Sequence, residues 1–230
     1  MVDMFLNVWK NSEPPIPPKT VYVIRHGEST HNAKSFAELG ANNNDARYLD
    51  AALTAIGEDQ ADALADRIAE INPELVVTSP LSRAADTCLR ACVKLPKDGS
   101  GPRFAVRKEC SERISYSCDV GSAVAVLEER FPTLDFAGLE DRDAWWWTPK
   151  DMPERSARGH LQLLLAGTGT EPVWNILHRV GQFRAWLSQQ PESKIVVFAH
   201  GAYLRVFLAM NLSSASVGSL NNCDVRMTRL

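Results

Sequence analysis

Two stretches of this chain share one design, and that shared design limits the folds open to it. Val21-Tyr22-Val23-Ile24-Arg25-His26-Gly27 and Lys194-Ile195-Val196-Val197-Phe198-Ala199-His200-Gly201 each run from apolar β-type residues into a histidine followed by a glycine. A buried strand that stops at reactive side chains is how α/β folds build sites, in the crevice beyond the strand ends. Glu74-Leu75-Val76-Val77-Thr78-Ser79-Pro80 predicts another short strand with a polar ending, and Arg103-Phe104-Ala105-Val106-Arg107 predicts a further one.

The side chains at these ends have a common chemistry. Arg25 offers a planar fork of donors that suits phosphate, and its charge does not titrate in the working range. His26 has a ring nitrogen that is nucleophilic when neutral, provided its other nitrogen donates a hydrogen bond that fixes the tautomer. Gly27 lets the backbone turn sharply beside it. Leu81-Ser82-Arg83-Ala84 begins a helix directly after the second strand, so Arg83 is expected in a first turn, where its charge and free amides favour an anion. Asn32 follows His26 at a distance that returns its amide to the same pocket.

Between these points the spacing predicts helices and loops. A helix is expected to start within Ser29–Leu39, and the polar stretch Gly40–Asp50 is expected to be an exposed loop. Ala61, Leu64, Ala65, Ile68 and Ala69 recur at helical spacing in a helix opened by Leu53-Thr54 and ended by Asn72-Pro73. Trp174–Leu187 is amphipathic, with Ile176, Val180, Phe183 and Leu187 on one face, and Ser213–Leu230 is expected to add a last strand. Pro14–Pro18 is expected to be an extended leader. The segment 133–172 changes composition, with Trp145-Trp146-Trp147 followed by Pro149 and Pro153, and is expected to form an inserted cap. Three consecutive tryptophans cannot all face one way, so one is expected in the core and another at a rim, where it shapes a pocket or only anchors the cap.

Composition excludes several classes. A net charge of −3 with no basic stripe argues against a nucleic-acid partner, and no stretch is apolar for long enough to span a bilayer. No secretory signal is expected in the first twenty residues. Cys88, Cys92, Cys110, Cys118 and Cys223 are odd in number and lack framework spacing, so they are expected as reduced, mostly buried thiols in a cytoplasmic protein. Cys88 and Cys92 lie one helical turn apart, but no second pair completes a zinc site.

Arg25-His26-Gly27-Glu28 at a strand end resembles the signature of the histidine phosphatase superfamily, which includes cofactor-dependent phosphoglycerate mutases and many small phosphatases. Ser79-Pro80-Leu81-Ser82-Arg83-Ala84 is similar to that family's second phosphate-binding segment, and His200-Gly201 to its closing motif. The resemblance implies one α/β domain over residues 1–230, a three-layer sandwich with a mostly parallel central sheet and helices on both faces. It also implies a phosphate pocket of Arg25, His26, Arg83 and His200, with Asn32 contributing and the amide after His200, that of Gly201, adding a donor. A proton donor is implied shortly after the third strand. Glu112 is the first choice and Glu109 the reserve, since a carboxyl group partly removed from water supplies a proton to a leaving oxygen.

The reaction implied is hydrolysis of a small-molecule phosphate ester through a phosphohistidine on His26, with no metal and no cofactor. Ser111-Glu112-Arg113-Ile114-Ser115-Tyr116 lacks the paired glycines of the family's mutases, which favours a phosphatase. Two other readings compete. One is a phosphoglycerate mutase, which needs a bisphosphoglycerate primer, and the other is a silent module that binds phosphate or a partner. Ser117-Cys118-Asp119-Val120-Gly121 followed by Phe131-Pro132 is similar to phosphoglycerate-mutase-like proteins of eukaryotes, which leaves the substrate open. Oligomeric state is not legible.

Overall fold

A computed structural model describes residues 18–33, 44–210 and 218–230. Its strands are β1 (Thr20–Arg25), β2 (Leu75–Thr78), β3 (Arg103–Val106), β4 (Lys194–Ala199) and β5 (Val225–Arg229), in one sheet of order β3-β2-β4-β1-β5. The first four run parallel, and β5 lies antiparallel on β1. The described part of the tail thus supplies the expected last strand. The α-helices are α1 (Ala55–Asp62), α2 (Ala65–Ile71), α3 (Ser82–Ala91), α4 (Val124–Arg130), α5 (Ala157–Leu165), α6 (Val173–Ser188) and α7 (Gly201–Ala209). None is long and apolar enough to cross a membrane.

Strand side chains alternate between two buried faces. Val21, Val23, Val77, Ile195 and Val197 pack against Ile176, Val180, Phe183 and Leu187 of α6 and Tyr203, Leu204 and Phe207 of α7. Ile24, Val76, Val196 and Phe198 point the other way, onto Ile68 and Ile71 of α2 and Cys88 and Ala91 of α3. Two helical layers therefore enclose a mostly parallel sheet, as the strand pattern and the resemblance lead one to expect.

A further apolar cluster joins the segment after β3 to this core. Ile114, Val120, Leu127, Phe136, Trp145, Trp146 and Leu164 pack with Leu81 and Ala85 next to and within α3. Trp145 donates its indole N–H to the Ser122 carbonyl at 2.9 Å and Trp146 to His160 Nδ1 at 3.1 Å. Both rings are buried, while Trp147 is half-buried and faces a cavity. The tryptophan run thus divides between core and rim.

Two local expectations are corrected and a third is described only in its first residues. Ser29 makes an isolated bridge with Leu53, and residues 30–33 form a turn in which the Ala33 amide reaches the Ser29 carbonyl at 3.0 Å and the Ser29 hydroxyl donates to Asn32 Oδ1 at 3.0 Å. Residues 34–39 of that expected helix lie outside the described residues, as do 40–43 of the expected loop and 14–17 of the leader. The helix expected over Ala61–Ala69 is broken at Ala63-Leu64, where the Leu64 amide reaches back only to Ala61, and it continues as α2. Asp50 is not exposed. It is buried at a φ of 46°, where its carboxylate accepts the Ser82 amide at 2.8 Å and the Ser82 hydroxyl at 2.7 Å.

Candidate active site

The sheet register assembles the site. Arg25 lies opposite Ala199 across the β1–β4 ladder, so the next residues, His26 and His200, leave adjacent strand ends together. Their ring centroids are 5.1 Å apart. β2 flanks β4 on its other side and delivers Ser79 and then, in the first turn of α3, Arg83. The carboxyl ends of three parallel strands thus meet here, two of them leading directly into a helix.

His26 is held in one tautomer. Its Nδ1 lies 2.7 Å from the Gly27 carbonyl oxygen, which can only accept, so Nδ1 carries the proton and Nε2 keeps its lone pair. Arg83 Nε donates to that Nε2 at 3.2 Å. Burial, followed by the charge of Arg83, pushes the pKa of His26 well below 6.5, so the ring is neutral at neutral pH. His200 is also buried. Its Nε2 lies 2.8 Å from the Ser79 hydroxyl, and burial followed by Arg83 lowers its pKa too.

The cations are fixed by different means. Arg83 is buried, paired with Asp119 Oδ1 at 3.1 Å, and bonded to the Cys118 carbonyl. Asp119 Oδ2 in turn accepts the amides of Ser115 and Tyr116, both at 3.1 Å. Arg25 donates through Nη1 to the Leu220 carbonyl at 2.8 Å and lies against Gly201, where a Cβ would sit 3.3 Å from Arg25 Nε. Three buried nitrogens around this point, Arg25 Nε, His31 Nε2 and His200 Nδ1, have no protein partner. Unpaired buried nitrogens of this kind mark a place suited to a polar ligand.

Glycine is required at two close approaches behind His26. A Cβ on Gly27 would lie 2.4 Å from the Gly57 carbonyl oxygen, and one on Gly57 would lie 2.0 Å from the Glu28 carbonyl oxygen. Thr54 and Gln60 complete this support by bonding the Glu28 carboxylate and amide at 2.8 and 2.9 Å. The Leu53–Ala61 segment thus backs His26 from outside the cleft.

Glu112 closes the opposite wall. It follows β3 through a 3₁₀ turn, Lys108–Cys110. Its carboxylate accepts the amides of Arg113, Tyr203 and Ala202 at 2.9, 3.0 and 3.0 Å, the last two at the N-terminus of α7. Burial and the nearby Asp119 carboxylate raise its pKa above 4.5, against the pull of the amides. Glu109 does not reach this cleft. Its carboxylate takes Arg107 Nε at 3.0 Å, and it lines the neighbouring tryptophan-walled cavity.

The cleft itself holds about 190 Å³, between Arg25, His26 and Arg83 on one side and Glu112, Asp119 and Tyr116 on the other. Asn32 is exposed at its mouth, with its Oδ1 accepting the Ser29 hydroxyl at 3.0 Å. His31 stacks on Tyr116 there, with ring centroids 5.9 Å apart. One detail departs from the sequence reading: Asp50 occupies the Ser82 amide at the start of α3, so the charge of Arg83 acts without that donor. Beside Gly201, which packs on Arg25, the Ala202 and Tyr203 amides serve Glu112. Asp119 was not singled out, and its signal in the sequence is only the Cys118-Asp119-Val120-Gly121 run. Among the described residues no group of three or more His, Cys, Asp or Glu side chains is placed to hold a metal. All five cysteines are free thiols, four of them buried.

Comparison with known proteins bears on the fold and on the segment that carries the first motifs. Residues 21–98, which carry Arg25, His26 and Arg83, match the family model of the histidine phosphatase superfamily (branch 1). Phosphoglycerate mutase-like protein 1 of Arabidopsis thaliana is 22% identical over 90% of this chain and 79% of its own length. Among solved structures, a phosphoglycerate mutase from Bacillus anthracis superposes with a TM-score of 0.59 at 16% identity, covering 93% of this chain and 88% of that one. A mycobacterial glucosyl-3-phosphoglycerate phosphatase gives a TM-score of 0.55 at 20% identity, covering 91% and 90%. An alpha-ribazole phosphatase from Shigella flexneri gives 0.52 at 22%, covering 86% and 81%. At these identities the structural likeness speaks for the fold, while the family model speaks for the motif-bearing segment. Residues 21–98 thus match the histidine phosphatase superfamily (branch 1), and the fold of the chain is similar to that of solved phosphatases and mutases.

Proposed function

We propose that the protein is a phosphomonoesterase that hydrolyses a small-molecule phosphate ester through a phosphohistidine on His26. The observation that carries this reading is the state of His26, neutral and with Nδ1–H tied to the Gly27 carbonyl, so that the Nε2 lone pair faces the cationic side of the cleft. In the first step Nε2 forms a bond to phosphorus as the ester P–O bond breaks. Arg25, Arg83 and His200 stabilise the equatorial oxygens, and the Glu112 carboxyl gives its proton to the leaving oxygen. The Arg83 Nε bond to His26 must be exchanged for one to the phosphoryl group, which occupies the space between them. In the second step water attacks the phosphohistidine and gives its proton to the Glu112 carboxylate. Inorganic phosphate leaves and His26 is free again.

The amides of Ala202 and Tyr203 stabilise Glu112 once it is ionised, and burial keeps its protonated form within reach. Phosphate release from p-nitrophenyl phosphate and 3-phosphoglycerate in the presence of a chelator, compared between wild type and His26→Ala, tests the proposal. Release by wild type that the substitution abolishes supports it. Conversion of 3-phosphoglycerate in the primed enzyme without phosphate release contradicts it in favour of a mutase, and neither activity contradicts it in favour of a binding module.

A further inference from the structure

Glu112 sits on a segment with little regular structure, yet its carboxylate has to stay at one point over the N-terminus of α7. The means of holding it lie outside the cleft. Arg179 on α6 and Glu171, two residues before that helix, form an ion pair with side-chain exposures of 12% and 0%. Arg179 Nε and Nη2 grip the two carboxylate oxygens at 2.8 and 2.9 Å. The same guanidinium donates to three backbone carbonyls within the segment 109–112. Nη1 reaches the carbonyls of Glu109 at 2.7 Å and Ser111 at 3.0 Å, and Nη2 reaches that of Glu112 at 3.3 Å.

Glu171 holds the far side of the same segment. Its Oε2 accepts the Ile114 amide at 3.1 Å, its carbonyl accepts Arg113 Nε at 2.9 Å, and its own amide donates to the Ile114 carbonyl at 2.8 Å. Residues 109–114 are thus fastened on both sides of Glu112. A buried pair of this kind is weak evidence for stability, because well-packed apolar residues of similar volume often do as well. What they cannot do is set three carbonyls and an amide in fixed directions. That needs the planar fork of arginine, which a lysine ammonium does not reproduce.

We propose that Arg179 and Glu171 are positioning residues for Glu112, fixing the backbone that aims its carboxyl at the leaving oxygen. The inference rests on the proposed hydrolysis with Glu112 as proton donor. It gives Arg179 no contact with substrate, so its effect must follow the leaving group's need for a proton.

The test uses the full chain and two esters. p-Nitrophenyl phosphate has a leaving group that departs without protonation, and glycerol 2-phosphate has an alkoxide that does not. Glu112→Gln is the benchmark and should lower kcat on the alkyl ester about 100-fold or more, and on the aryl ester less than tenfold. Arg179→Met should show the same selectivity at smaller size, about 10- to 100-fold on the alkyl ester and under threefold on the aryl ester, in kcat more than in KM. Arg179→Lys should restore the alkyl activity only in part. If Arg179→Met does not fold, Glu171→Gln, which keeps shape but weakens the grip, is judged by the same ratio. An equal loss on both esters, or none on either, overturns the positioning role while a selective Glu112→Gln leaves the proposed mechanism standing. A Glu112→Gln variant with no preference between the esters overturns the assignment of the proton donor, and the inference with it.

Discussion

The two ends of the cleft are held in place by different physics. At the phosphoryl end, His26 and His200 follow the last residues of adjacent parallel strands, and Arg83 lies in the first turn of the helix after a third. Their positions are set by the hydrogen-bond ladder of the sheet, which no single side chain controls. At the other end, Glu112, Tyr116 and Asp119 lie between β3 and α4 on a segment whose only regular pieces are short 3₁₀ turns. Buried charge pairs hold that end, Arg83 with Asp119 and Arg179 with Glu171. A ladder distributes its strength, whereas a buried pair concentrates it, since removing one partner leaves the other uncompensated. The comparison teaches that substitutions at the phosphoryl end should cost chemistry alone, and those at the other end both chemistry and structure.

The largest effect is expected at the ladder-held end. His26→Ala should reduce phosphate release by about 10⁴-fold or more with the melting temperature little changed, as measured by turnover and thermal unfolding. Arg83→Ala probes the one residue that belongs to both ends. Loss of its charge should cost about 10²–10³ in kcat. Stranding Asp119 should also lower stability by about 3–5 kcal/mol in denaturant titration, and a stability like that of wild type would break the comparison.

The pH profile sharpens the contrast through the opposite shifts of its two groups. His26 must be neutral to attack, and its pKa lies below 6.5, so activity falls only on the acid side as the ring takes a proton. Glu112 must be protonated to assist departure, and its pKa lies above 4.5, so kcat/KM for an alkyl ester falls as pH rises through it. The expected profile is a bell displaced to the acid side, whose alkaline limb disappears in Glu112→Gln.

Smaller effects are expected farther from the reacting atoms. Trp146→Phe removes the partner of His160 Nδ1 and should cost about 1–3 kcal/mol of stability, with p-nitrophenyl phosphate turnover within twofold of wild type. Asn32→Ala, at the exposed mouth, should change kcat/KM by about fivefold or less, since it removes one weakly held polar group.

The same contrast explains what the sequence could show. Arg25, His26, Arg83 and His200 were legible because a β run that ends in reactive residues is a local pattern, and the sheet then brings such ends together. The helix faces of α2 and α6 were legible for a similar reason, since 3.6-residue periodicity is written in neighbouring positions. Asp50, Asp119, Glu171 and Arg179 were not. Each acts on a residue distant in the chain, Asp50 on Ser82, Asp119 on Arg83, Glu171 on Ile114 and Arg179 on Glu109, and no local pattern announces such partners. Glu112 fell between the two cases. The sequence narrowed the choice to two carboxylates three positions apart, and only the 3₁₀ turn at Lys108–Cys110 decides which one faces the cleft.

The central claim is that His26 Nε2 takes the phosphoryl group. Its most direct test is to mix the protein rapidly with a radiolabelled phosphate ester and quench in alkali, which spares a P–N bond. The expected result is label on wild type that maps to the peptide containing His26, decays to inorganic phosphate at the rate of turnover, and is missing from His26→Ala. Phosphate release from wild type without any trapped label, or label that persists in His26→Ala, would contradict it.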